Sequence, residues 1–288
     1  MQRIKYTFLT ALLFLACFSS DSFAKSEAQP AAGDVLIVDI GRGTTRCGLH
    51  TQSEPIVFSS SIRWDHINFI NDFRSLMNQV YSKLGISNKS AHPVLVIEPD
   101  EMNSWRRVAM SDVLMGENQV AWMYVMWKSM INAYGNDPGT GTVLSYHAED
   151  NYSSIVAIVA GWPYSLGYGV EFDYHEPQLV RAADSVFWTT VRCPYADRGD
   201  LLNNIVLSGN HWKGVSQADI ATFEERINIQ RLLIAHDPRV VDIEPRDLVS
   251  WRASKKLVND GLIIDWDLAF KQSHYTDKGS EYIRQWVF

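Results

Sequence analysis

An α/β fold, built as two lobes or one large unit, is what the sequence predicts, and three observations predict it. A chain of 288 residues with 46% hydrophobic and 12% aromatic content can bury a sizeable core. Short apolar runs alternate with stretches whose apolar residues recur at helical spacing. Glycine and proline punctuate those runs at turns and helix stops. The net charge of −7 is spread without basic or acidic runs, which gives no support for nucleic acid or an anionic membrane surface as partner.

Taken in order, Val35 to Asp39 and Arg46 to His50 read as a hairpin around a glycine turn. Ile67, Ile70, Phe73, Leu76, Met77, Val80, Tyr81 and Leu84 mark a helix with one buried face. Val94 to Ile97 is fully apolar, as in a strand inside a parallel sheet. Asn118 to Tyr134 reads as an apolar helix stopped by the Gly and Pro that follow. Asn151 to Ala160, rich in Val and Ile, reads as a buried strand. Leu179, Ala182, Val186 and Phe187 give another helix, Ile205 to Leu207 a core strand, and Ile220, Phe223 and Ile227 a further amphipathic helix.

Arg3 and Lys5 precede the apolar run YTFLTALLFLACF, and Ser22-Phe23-Ala24 offers small residues for cleavage, so residues 1–24 read as a secretory leader. That run falls short of the ~20 residues a bilayer span needs. Export to a periplasm or the cell exterior, and delivery to a host cell, are the expected destinations. Lipidation at Cys17 is a weaker reading, and residues 25–34 read as a flexible linker. Cys47 and Cys193 remain after cleavage.

Five segments carry a family resemblance. They are VLIVDIGRGTTRCGLHTQSEPIVFSSSI, the long stretch from His92 to Leu144, RCPYADRGDLLNNIVLSGN, Trp251 with the residues after it, and the final FKQSHYTDKGSEYIRQWVF. In sequence they are similar to actins. The first resembles the phosphate-binding hairpin, with Asp39, Gly41, Gly43 and Gly48 in family positions and Arg46 in place of a Lys. The last keeps register with the actin carboxyl terminus to Phe288. The resemblance implies an actin-like, ribonuclease H-like duplicated fold. One lobe, residues 35–134 with 246–288, would correspond to actin subdomain 1, and the other, residues 135–245, to subdomain 3. The resemblance puts Cys47 and Cys193 on different lobes and so implies neither a disulfide nor metal ligation for them. Almost no sequence separates Ile62 from His66, and only a short segment separates Trp162 from Cys193. Subdomains 2 and 4 therefore read as deleted, which implies a monomer without actin-type filaments.

Nucleotide chemistry is not expected. Asp39, Gly41 and Gly43 persist in the first hairpin, but Arg42 replaces a small hydroxyl residue, and Lys128 replaces the water-positioning Gln. A charged Lys cannot accept a proton from water. The second hairpin lacks its glycines, so its backbone cannot approach a phosphate cheaply. After Gly209, the run Asn210-His211-Trp212 places bulk where the base would lie. ATP and Mg²⁺ are therefore not expected cofactors, and Asp39, Gly41, Arg42, Gly43, Arg46, Lys128 and Gly209 read as vestiges of a site. His147, Glu149 and Asp150 read as a solvated hairpin tip.

The retained half corresponds to the barbed-end face of actins, which implies profilin or another cleft-binding actin regulator as partner. Tyr134, Gly161, Trp162, Asp197, Arg198, Asp200, Trp286 and Phe288 are the matching positions. Two alternatives are a phosphotransferase with a site rebuilt from Asp39, Arg42, Lys128, Glu149 and Asp150, and a structural protein of the export compartment.

Overall fold

The computed structural model describes residues 33–60, 62, 64, 68–100, 104–136, 141–149, 152–168, 178–229, 237–241, 243–260, 270–280 and 282–283. The predicted leader, most of the linker, Asp150, Trp286 and Phe288 lie outside the described residues. The chain is α/β, with two mixed sheets.

The first sheet runs β10-β5-β4-β1-β2-β3, from β1 (Leu36–Ile40), β2 (Thr44–Leu49), β3 (Ile56–Ser59), β4 (Val94–Glu98), β5 (Trp122–Trp127) and β10 (Phe270–Lys271). β1, β2 and β3 form an antiparallel meander, while β4 lies parallel to β1 and β5 parallel to β4. The second runs β8-β7-β6-β9, from β6 (Val143–Glu149), β7 (Tyr152–Val159), β8 (Trp162–Tyr168) and β9 (Ile205–Ser208). Again three strands meander, and the next strand returns parallel beside the first of them. Four strands of the first sheet thus follow the plan of the second.

Helix α1 (Phe69–Leu84) buries Phe69, Phe73, Leu76, Met77, Val80 and Tyr81, a stripe at three- and four-residue spacing. Gly85 ends it at φ 66°, where the left-handed backbone suits glycine, and Ile86 N–H bonds back to Tyr81 O at 2.9 Å. Leu36, Val38 and Ile40 face the core that α1 covers. Alternate residues Val35 and Ile37 face α3 (Lys128–Asn136) and α7 (Val249–Asn259), packing with Ile131 and Trp251. A Cβ on Gly135 would collide with Ala253, so these two helices cross at backbone contact. Among the others, α2 (Ser104–Ser111) precedes β5, while α4 (Gln178–Val191), α5 (Arg198–Asn203) and α6 (Gln217–Ile229) follow β8 and α8 (Gln272–Lys278) follows β10.

The structure corrects one element. Asn118 to Tyr134 is not a single helix: Trp122–Trp127 is strand β5, and helix begins only at Lys128. A continuous apolar run fits a buried strand as well as a buried helix, and pairing with β4 and β10 decides it here.

Candidate functional site

On β6, Leu144, Tyr146 and Ala148 enter the core beneath α4 and α6. The alternate residues Ser145, His147 and Glu149 are also buried, so one face of this interior strand carries three polar groups. On β1, Asp39 continues the face of Ile37 and pairs in register with Arg46 of β2. Lys128 is the first residue of α3.

These side chains meet. Lys128 Nζ lies 2.8 Å from Asp39 Oδ1 and 3.8 Å from Glu149 Oε1, and Arg46 Nη1 lies 3.8 Å from that same Glu149 oxygen. The backbone N–H of Arg42 donates to Glu149 Oε2 at 2.6 Å. Arg46 also donates to Asn210 Oδ1, and Asn210 Nδ2 donates to Thr44 Oγ1 at 3.1 Å. Asp39, Arg46 and Lys128 are each 1% exposed, and Glu149 4%. Four charges at that depth persist only because they offset one another.

A polar relay continues inward. His147 Nε2 lies 3.4 Å from Glu149 Oε1, and His147 Nδ1 lies 3.0 Å from Ser208 Oγ. Asn132 Nδ2 donates to Ser208 Oγ at 2.9 Å, while Ser250 Oγ donates to Asn132 Oδ1 at 2.9 Å. The relay thereby ties α7 and α3 to β9 and β6. His147 is 3% exposed and Glu149 is buried, so the predicted solvated tip is wrong for both. Burial raises the cost of any unpaired polar group, and here Lys128, Arg46, Ser208 and the Arg42 amide supply the partners.

Burial of the imidazole, helped by Lys128, lowers the His147 pKa below its ordinary value despite Glu149. Burial alone would raise the Glu149 carboxyl, but Lys128, then His147 and Arg46, outweigh it and hold that carboxyl well below the usual carboxylate range. A histidine whose folded pKa is depressed gives stability that is present above its unfolded pKa of about 6.5 and lost as pH falls below it. The contribution of His147 to stability is expected to decline on acidification from pH 7 to 5.5, and His147→Gln is expected to remove that contribution from thermal melts. Glu98 titrates in the same window with opposite sign, because burial pushes its carboxyl up to about 7 against the pull of Arg107. The diagnostic is therefore the difference between variant and parent; identical pH slopes would refute the assignment.

Gly209, at φ 103°, follows β9, and a Cβ there would collide with Ala148 O. Trp212 beyond it is fully buried, edge-on to Tyr146 at 5.2 Å and to Phe223 at 5.6 Å. Gly43 faces open space. Arg42 lies over the Tyr152 ring at 4.4 Å. Among the described residues, no three His, Cys, Asp or Glu side chains group as metal ligands, and no helix is long and apolar enough to cross a membrane.

A second buried group went unread in the sequence. Glu98 accepts from Arg107 Nε at 2.7 Å, and Asp100 accepts from Ser129 N–H at 3.0 Å and Ser154 Oγ at 2.7 Å. It joins the end of β4 to α3 and β7. Its only sequence signal was a pair of acids beginning where an apolar strand ends.

Of the residues predicted for a partner surface, the described ones fall at the other end of β6. Ala160 (φ 52°) and Gly161 (φ 82°) form a two-residue turn between the paired Val159 and Trp162. Gly161 N–H bonds to Gly141 O at 2.8 Å, and Tyr134 Oη donates to Gly161 O at 3.3 Å. Trp162 is 56% exposed and Tyr134 45%. Asn204 Nδ2 donates to Thr142 O at 3.2 Å, placing the end of α5 beside the same strand start. Asp200 on α5 is exposed and Asp197 half-buried. Arg198 is engaged within the chain, donating to Cys193 O at 2.9 Å and Val191 O at 2.6 Å.

No protein-family model matches this chain, and no curated protein matches it closely enough to place it in a family.

Proposed function

We propose that the mature chain is a catalytically inactive actin-like protein that acts through a surface, presenting a face similar to actin's barbed end to profilin or a related actin-binding protein. The observation that carries this reading is the grouping of Tyr134, Gly161 and Trp162, two exposed aromatics of which one donates to the carbonyl of the residue before the other. Exposed aromatics of this kind are good interface anchors. The plan that four strands of each sheet share supports a duplicated fold. Inactivity is supported by Lys128, which is held by Asp39 rather than pointing into an open cleft, and by Trp212 filling the interior beyond Gly209. Export follows from the leader read at residues 1–24 and belongs to the same proposal.

Titration of profilin with the chain from Lys25 onward tests it. Binding is expected, and Trp162→Ala is expected to weaken it by roughly 2 kcal/mol, about thirtyfold. Since Trp162 is mostly exposed, the variant should keep the parent's circular dichroism. No binding by the parent, or equal binding by a folded variant, would overturn the reading.

A further inference from the structure

We propose that Glu149 is a ligand supplied in cis: its carboxylate occupies an anion site formed by the β1–β2 turn with Arg46 and Lys128. Besides His147, four residues define the site. The Arg42 amide donates to Oε2 at 2.6 Å, short for an N–H donor, and bonds to an ionised acceptor are the shorter kind. A Cβ on Gly41 would collide with both carboxylate oxygens, so the carboxylate rests directly on the turn's backbone and needs glycine there. Oε1 sits 3.8 Å from Arg46 and 3.8 Å from Lys128, the two cations that flank it. Asp39 offsets only one of them.

The turn belongs to the first sheet and Glu149 to the second, so the contact is that of a bound anion whose tether happens to be strand β6. Removing the side chain beyond Cβ leaves an amide donor and one surplus buried cation around a space of carboxylate shape. An external carboxylate of that size is the ligand class the vacated site takes. The inference stands on contacts within the chain and is independent of the partner surface, so either can fail alone.

The test is chemical rescue of Glu149→Ala by formate, read in thermal melts against equal concentrations of chloride. The parent is expected to melt alike in both salts. The variant is expected to melt lower, and to gain about 3–6 °C in formate once formate is tenfold above its dissociation constant. Equal formate responses in parent and variant would overturn the proposal. Should Glu149→Ala not fold in chloride, Glu149→Gln and Glu149→Gln/Lys128→Met decide. If Glu149 acts as an anion between cations, deleting one cation relieves its loss and the double variant melts above the single one. A double variant that melts at or below the single one would refute it.

Discussion

Lys128→Ala is expected to destabilise the protein by about 3–5 kcal/mol, because it removes one partner of a buried ion pair and strands the other. Lys128 Nζ is 2.8 Å from Asp39 Oδ1, and both side chains are almost fully buried. Without the ammonium, Asp39 and Glu149 are two buried carboxylates facing the single guanidinium of Arg46. Part of the loss is expected to return in Asp39→Asn/Lys128→Met, which removes both ends of the pair and leaves Arg46 opposite Glu149. Urea unfolding of the parent, Asp39→Asn, Lys128→Met and the double gives the coupling directly. A loss below about 1 kcal/mol for Lys128→Ala would mean that the pair behaves like an exposed one.

Trp212→Ala is expected to cost a similar amount, about 3–5 kcal/mol, for an apolar reason. The indole is fully buried between Tyr146 of β6 and Phe223 of α6, and truncation leaves a cavity between them. A fall in Tm of roughly 10 °C is the expected reading. Trp212→Phe should lose much less, since an aromatic still meets both rings. If alanine cost no more than phenylalanine, the indole would not be filling that core.

Much of the fold was legible because its signals are local. The stripe from Phe69 to Tyr81 and the glycine after Leu84 specify α1 and its end. The apolar runs of β1, β4 and β9 could hardly be anything but buried strands. Trp122 to Trp127 misled, because a run apolar on every side carries no period, and its partners β4 and β10 lie far away in sequence. The charged site was half legible. Asp39 stood out as a position kept in a resemblance, and Arg46 and Lys128 as departures from it, but Glu149 was read as solvated. A carboxylate's burial depends on cations supplied by other elements, and sequence distance hides them. The alternation of Ser145, His147 and Glu149 with Leu144, Tyr146 and Ala148 was the available sign that this strand had a polar yet interior face.

Helix α3 is a short rod with a chemically different device at each end. Lys128 opens it in the charge cluster, and six residues later, about 9 Å along the axis at 1.5 Å per residue, Tyr134 emerges at the surface. Between them Asn132 is gripped by Ser250 and Ser208, and just past Tyr134, Gly135 rests on Ala253 without a methyl group to spare. A rod held at its start by Lys128, in its middle by Asn132 and near its end by Gly135 and the Tyr134–Gly161 bond fixes the distance between the buried charges and the exposed ring.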